Sequence, residues 1–306
     1  MSKEEVYLSA SRIKTFESCS WLYYCKYILK LPDKSNTGAM RGLICHLIFE
    51  LLFNPRHKSH YDKIKKKNNV KASKSVNRLI LKHAKKSGID DKENLSLIYD
   101  MILVGLNTDF YPKDGTALSP EFEFKINGDG YKAKGFIDLP ILGSDGTVTI
   151  RDYKSSKKKF AGEELTANVQ AMLYSLVSKQ LWPQFKPKVE FIFLRFPKSP
   201  VQRIEFTEDE LSGFEYSLKF VYDKISNFSE KDACLNFAKN GNNRWMCQAG
   251  ATWVCPLKNS MIYYSVFDEE DNLIKSVHTL AEAQKLKIND LFKIKKMEYS
   301  GCPAWR

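Results

Sequence analysis

At 306 residues, with 43% hydrophobic and 13% aromatic side chains, the chain can bury a substantial core and is too apolar for an intrinsically disordered protein. It has no run of about 18 uncharged apolar residues, and the charged start MSKEE lacks the apolar core of a signal peptide, so the expectation is a soluble, intracellular protein without membrane association. The net charge of +12 is concentrated between Arg56 and Lys86, where twelve Lys or Arg residues face the single acid Asp62; such a surface suits a polyanion partner, and equally a merely solvated face.

The opening LSASRIKTFESCSWLYYCKYILKLP begins with serines suited to helix capping, carries aromatic and aliphatic residues at helical spacing and stops at Pro32, predicting one or two short helices. GAMRGLICHLIFELLF, Gly38 to Phe53, is apolar and of helical length, with His46 one turn before Glu50. Residues 56–90 read as a mobile, lysine-rich loop leading into a basic helix, after which KENLSLIYDMILVGLNTDF resumes the helical period. Beyond Pro120, EFEFKI, YKAKGFIDLPIL and TVTIRDYK read as three strands separated by the turns NGDG and GSDG. A helix from about Glu163 to Leu181, the strand KVEFIFLRF and a helix near residues 208–226 complete a mixed sheet with helices packed against it. Past Cys255 the chain reads as a short hairpin and a helix from near Thr279. This gives a main domain over 1–258 and a small appended module over 259–306.

A three-residue GSDG loop (Ser144, Asp145 and a left-handed Gly146) sets Gly143 opposite Thr147 and, counting back, Asp138 opposite Asp152. Lys154 then shares the face of Asp152, over an apolar floor of Phe136, Val148 and Ile150, and Tyr153 points the other way. Two close carboxylates repel unless a cation lies between them, and hard oxygen ligands suit Mg2+ or Mn2+. A lysine beside them can orient or deprotonate a water, or neutralise charge on a phosphate. A four-residue loop would instead send the two aspartates to opposite faces, and a surface salt-bridge ladder uses the same residue types. His46 reads either as a hydrogen-bonded core residue or as a metal ligand oriented by Glu50.

GLICHLIFE, GFIDLPI, IRDYKSS and NVQAMLYSLV occur in the order of the Gly-x-x-x-His, Gly-x-x-Asp, Asp-x-Lys and Gln-x-x-x-Tyr motifs of the RecB-like branch of the PD-(D/E)XK nuclease superfamily, which the chain resembles from Gly42 to Tyr174. The opening segment resembles the family's N-terminal region. The nuclease domains of RecB and AddB and the CRISPR-associated exonucleases belong to this group. The resemblance implies an α/β fold with a restriction-endonuclease-like core, a mixed central sheet flanked by helices, and here a small C-terminal extension. It makes His46, Asp138, Asp152 and the carbonyl of Tyr153 ligands of Mg2+ or Mn2+ and Lys154 the catalytic lysine. Gln170 and Tyr174, one helical turn apart, would complete the catalytic set by holding the lysine or substrate phosphates. Glu121 or Glu123 would correspond to an acid that the family places on its first strand.

The implied reaction is phosphodiester hydrolysis, with water attacking phosphorus in line and divalent ions stabilising the attacking and leaving oxygens. The family analogy points further, to a DNA exonuclease acting on single-stranded or frayed ends in recombination, repair or phage replication, in the cytoplasm of a bacterial or phage-infected cell. Residues 56–90 would be a basic insertion holding the strand, with Lys65, Lys66, Lys67, Lys157 and Lys158 as phosphate contacts and recombination or replication proteins as further partners. Trp21, Tyr23 and Tyr24 either stack on bases or pack the N-terminal helix. The competing reading is a nuclease-fold DNA-binding scaffold without catalysis, against which the presence of His46, Asp138, Asp152 and Lys154 argues.

Seven scattered cysteines do not form a secreted disulfide framework. Some relatives fasten their termini with a four-iron cluster, using one N-terminal cysteine and a C-terminal Cys-x-x-Cys-x5-Cys. Cys19 sits at the first of these positions, but Thr252 and Met261 stand where two of the others belong, around Cys255. Cys19, Cys247 and Cys255 are therefore candidate iron–sulfur ligands, with Cys234 or Cys25 as a further one and ordinary buried thiols as the alternative.

Overall fold

The computed structural model describes residues 5–33, 36–240, 247 and 255–305. Contacts divide the chain into two units, Met1–Ser9 with Ser35–Tyr222, and Ala10–Lys34 with Asp223–Arg306. The N-terminal helices Ala10–Ser18 (α1) and Ser20–Tyr23 (α2) fall in the second unit.

The first unit opens with four helices: Thr37–Phe53 (α3), Lys58–Lys67 (α4), Lys74–Lys86 (α5) and Lys92–Asn107 (α6). Side chains at their starts satisfy free backbone N–H groups: Asn36 caps α3, Ser73 caps α5 and Asp91 caps α6. The lysine-rich segment is helical rather than a mobile loop. Ile64, Val70, Val76, Ile80, Ala84 and Ile89 are buried against α3 and α6, and within α5 the buried residues recur every four positions, a stripe that the surrounding lysines obscure in sequence.

The strands are Thr116–Ala117 (β1), Phe122–Gly128 (β2), Tyr131–Ile137 (β3), Leu139–Leu142 (β4) and Thr147–Lys154 (β5). They are followed by the helices Glu163–Thr166 (α7) and Val169–Leu181 (α8), the strands Lys186–Phe193 (β6) and Val201–Ile204 (β7), and the helix Glu208–Ser226 (α9). The central sheet is mixed, in the order β1-β4-β5-β6-β7; only β5 and β6 run parallel, joined through α8. Tyr153, Ile192 and Leu194 face the helices α3 and α6, and α8 packs on β5 and β6. A separate β2–β3 hairpin adjoins this sheet.

Two predicted elements are broken where they carry polar groups. The expected strand YKAKGFIDLPIL divides at Asp138 into β3 and β4, and the helix expected from Glu163 breaks before α8, whose cap Asn168 accepts from the Ala171 N–H. Phe136 does not join the expected apolar floor: it is 54% exposed, whereas Val148 and Ile150 are fully buried, because β3 pairs with β2 outside the central sheet.

In the second unit α1 and α2 pack with the helix Glu230–Ala233 (α10) and a three-stranded antiparallel sheet of Met261–Phe267 (β8), Leu273–Val277 (β9) and Lys293–Tyr299 (β10), ordered β10-β8-β9. The helix Leu280–Leu286 starts at Thr279 as expected, with a reciprocal capping pair to Glu282; β10 had no sequence-level expectation. Trp21 and Tyr23 are buried, and the Trp21 indole donates to the Tyr299 hydroxyl at 2.7 Å, so these rings pack the fold. Among the described residues no helix is long and apolar enough to cross a membrane.

Candidate active site

The GSDG turn has the three-residue form. Gly146 adopts φ +76°, the Gly143 N–H donates to the Thr147 carbonyl at 2.8 Å, and Leu139 pairs with Arg151, where the ladder ends one residue short of Asp138 and Asp152. The strand break after Ile137 turns the Asp138 carboxylate onto the main chain of the neighbouring strand, where it accepts from the Tyr153 N–H at 2.7 Å.

α3 delivers His46 to the same place. Its Nε2 lies 3.0 Å from the Tyr153 carbonyl, and its Nδ1 lies 3.4 Å from Glu121 and 3.5 Å from Asp138. Gly42, one turn earlier, makes the approach possible, because a Cβ there would come within 2.7 Å of the Ser155 hydroxyl. The expected partner of His46, Glu50, is exposed, and Glu121 and Asp138 take that role. Of the two candidate acids at the start of β2, Glu121 reaches the site and Glu123 is exposed. Glu121 does so with φ +50°, a left-handed backbone that costs a non-glycine residue about 1–3 kcal/mol. Ligand atoms of His46, Glu121 and Asp138 all lie within 4.8 Å of one another.

Asp152 belongs to an adjoining set. Its Oδ1 accepts from Gln170 Nε2 at 2.8 Å and its Oδ2 lies 2.6 Å from Lys154 Nζ, which donates to Gln170 Oε1 at 2.7 Å. Gln170 also donates to the Tyr174 hydroxyl at 3.0 Å, and that hydroxyl donates to the Phe136 carbonyl at 2.7 Å. The Gln-x-x-x-Tyr spacing thus lets one face of α8 grip both charged groups of β5 and anchor to β3. In this arrangement Asp152 is directed to Lys154 and Gln170, apart from the tight group of His46, Glu121 and Asp138.

Electrostatics at the site are strongly perturbed. Burial pushes the Asp152 carboxyl up to about 6; Lys154 opposes the rise and Asp138 adds to it. His46 moves the other way from what burial dictates, raised to about 11 by hydrogen bonds to Asp138 and Glu121. Asp152 Oδ2 is buried and, although close to Lys154, has no aligned hydrogen bond. These groups open into a cleft of about 920 Å³, also lined by Lys157, Arg41 and Arg195. Arg195 carried no sequence-level expectation; the one available signal was a lone cation at the end of the strand KVEFIFLRF.

The other expected contacts lie elsewhere. Lys158, Lys66 and Lys67 are exposed, and Lys65 is tied to Asn107 Oδ1 at 2.6 Å. In the second unit Cys19, Cys25 and Cys302 are buried in one cluster, with Cys247 and Cys255 packed against it, and none is in a disulfide. Thr252 lies outside the described residues, and Met261 begins β8.

Comparison with known proteins fits this geometry. The family model of the PD-(D/E)XK nuclease superfamily matches residues 7–259. The chain belongs to the PD-(D/E)XK nuclease superfamily. Among relatives of this nuclease chain is an ATP-dependent helicase/deoxyribonuclease subunit of Streptococcus agalactiae serotype III, 23% identical over 239 residues, which cover 75% of this chain and 22% of that protein. The protein of the same name from Streptococcus mutans is 28% identical over 163 residues, 50% of this chain and 14% of that one. The chain therefore spans about a fifth or less of the length of these relatives. The crystal structure of a candidate exonuclease from Eubacterium rectale shares the fold, with a TM-score of 0.51 at 12% identity over 78% of this chain and 87% of that one.

PD-(D/E)XK nucleases use divalent metals, and the donors present suit one: an imidazole, hard carboxylate oxygens, a main-chain carbonyl and a buried carboxylate oxygen without an aligned hydrogen bond.

Proposed function

We propose that this chain is a divalent-metal-dependent nuclease that hydrolyses phosphodiester bonds in DNA, acting as an exonuclease on single-stranded or frayed ends. The observation that carries this reading is the meeting of His46, Glu121 and Asp138 with the Asp152–Lys154–Gln170 set in one cleft. His46, Asp138, Asp152, Glu121 and the Tyr153 carbonyl would hold Mg2+ or Mn2+. When bound, the ion supplies an acidified water and offsets charge on the phosphoryl oxygens. His46 must shed its proton to become a ligand, and the carboxylates that raise its proton affinity are the groups an ion would draw away from it. Lys154 is placed to orient the attacking water or to compensate charge on the phosphate. Gln170 fixes both Lys154 and Asp152, and Tyr174 fixes Gln170. Digestion of end-labelled single-stranded, duplex and circular DNA with Mg2+ or Mn2+ tests the reading. Loss of linear but not circular substrate is expected, and no metal-dependent cleavage of any of them would leave the non-catalytic scaffold as the function.

The nuclease domain is proposed to extend to about 258, where the family match ends, and 259–306 to be an extension that folds in one unit with Ala10–Lys34 and the residues from Asp223 onward rather than as a module of its own. The relatives' names describe a helicase/deoxyribonuclease, which supports DNA as the substrate and recombination or replication proteins as partners, with the cytoplasm of a bacterial or phage-infected cell as the setting. Residues 56–90, with Lys66 and Lys67 exposed on α4, and Lys157 and Lys158 beyond β5 are proposed to hold the strand. Replacing Lys66, Lys67, Lys71 and Lys74 by Gln should weaken single-stranded DNA binding and flatten its dependence on salt by about 0.7 per lost contact; an unchanged slope would remove the insertion from the substrate path.

An iron–sulfur cluster is proposed on Cys19, Cys247 and Cys255, with Cys302 as the fourth ligand in place of the missing cysteine at Met261. All four thiols gather in the cluster that packs the N-terminal helices against residues 233–305, and the Cys302 N–H donates to the Lys258 carbonyl, three residues past Cys255. Burial pushes the Cys302 thiol up to about 11, and its neighbours Cys19, Cys255 and Cys247 add to the rise, which places the four sulfurs close enough to feel one another. Anaerobically purified protein should contain iron and sulfide and absorb in the visible, and Cys302→Ser should lose both. Iron-free wild-type protein would leave these residues as ordinary core thiols.

A further inference from the structure

Arg195 stands immediately beyond the parallel β5–β6 ladder. The Leu194 N–H donates to the Lys154 carbonyl at 2.9 Å, so the residue after it emerges at the carboxyl end of the two parallel strands, next to the lysine of the cleft. Ligands of sheets with parallel strands gather at this end. Arg195 also lines a second groove, of about 700 Å³, bordered by Asn68, Asn107, Thr108 and Met101, so one side chain bounds both cavities.

Arg195 differs from the other arginines of this unit in being partly buried without a side-chain partner among the described residues; Arg56 and Arg78, which have none either, are exposed. Arg151 is held by Glu190 and Asp109, Arg203 by Glu190, and Arg41 by Asn94. Arg195 is partly buried and has no hydrogen bond or ion pair among the described residues. The acids of the cleft are engaged elsewhere: Asp138 with Tyr153 and His46, Glu121 with His46, and Asp152 with Lys154 and Gln170, so the five donors of the guanidinium are left for water or a ligand in the grooves. None of the described residues supplies it an acceptor. A planar fork of donors matches two oxygens of one phosphate, and a cation beside three carboxylates offsets the repulsion that a phosphodiester meets there.

We propose that Arg195 is a phosphate-positioning residue: it grips one backbone phosphate of a single strand lying in the cleft, at the point where that strand passes into the second groove. The inference rests on the nuclease reading and adds the strand's path to it. Asn68 and Asn107, bonded to each other at 3.2 Å, and Thr108 provide polar edges for the nucleotides that continue along the groove.

The test is binding of a short, labelled single-stranded oligonucleotide in EDTA, followed by fluorescence anisotropy over a series of salt concentrations. Arg195→Gln is expected to weaken binding roughly tenfold and to lower the slope of log affinity against log salt by about 0.7. Arg195→Lys should restore the slope. With a set of oligonucleotides carrying one neutral methylphosphonate linkage each, wild type should lose affinity most at one position, and Arg195→Gln should be insensitive to that position. In steady-state cleavage the Gln variant should raise KM with kcat nearly unchanged. A wild type that binds and cleaves while Arg195→Gln matches it in slope overturns this inference alone, as does a wild type equally sensitive at every linkage. A wild type that neither binds nor cleaves overturns the nuclease reading and this inference with it.

Discussion

Asp152→Asn and Lys154→Ala should each lower DNA cleavage by about a thousandfold or more, equivalent to roughly 4 kcal/mol of lost transition-state stabilisation, while oligonucleotide binding stays within a few-fold of wild type. Asp152→Asn is the sharper of the two. It preserves shape in a position that is 3% exposed, and an amide can still meet Gln170, so the fold should survive; what disappears is the negative charge that faces Lys154 and completes the proposed metal set. Lys154→Ala removes the one ammonium within 2.6 Å of that carboxylate. The assay is single-turnover digestion of end-labelled DNA with Mg2+ or Mn2+, with thermal melting to verify folding. Full activity in either variant would remove the residue from the catalytic set.

Glu190→Ala should destabilise the first unit by about 3–5 kcal/mol. Glu190 is 3% exposed and accepts from Arg151 at 2.8 Å and from Arg203 at 2.7 and 2.8 Å, on adjacent strands of the central sheet. Without it Arg151, itself 4% exposed, keeps the Asp109 carbonyl at 2.6 Å and a longer contact to the Asp109 carboxylate, but no buried carboxylate beside it among the described residues. A buried charge that has lost its counter-ion costs more than the ion pair was worth, so Arg151→Met combined with Glu190→Met should recover most of the loss. Arg203 is 61% exposed and remains solvated in either case. Urea or thermal denaturation of the single and double variants checks this; a double variant as unstable as Glu190→Ala would mean that the network stabilises by shape rather than by charge compensation.

Much of the site is legible because its residues sit at spacings that regular elements impose. Gly42 and His46 are one helical turn apart, as are Gln170 and Tyr174, and Asp152 and Lys154 share a strand face. The register of the hairpin that carries Asp138 and Asp152 depends on loop length, which GSDG leaves open between three and four residues; the left-handed Gly146 and the Gly143–Thr147 hydrogen bond decide it. The basic insertion reads as mobile because lysines dominate its composition, whereas its fold depends on a few apolar residues four apart.

Composition and local periodicity are sufficient to establish most of the helical and extended segments of the first unit, the four motifs and the chemistry they suit, since these depend on residue type and short-range spacing. Which groups meet is decided by the tertiary structure. The break at Asp138, the left-handed Glu121, the emergence of Arg195 next to Lys154 and the arrival of Cys302 near Cys19 all depend on contacts between positions far apart in the chain. Such contacts follow from strand register and from how helices seat on the sheet, and neither leaves a periodic trace in a single sequence.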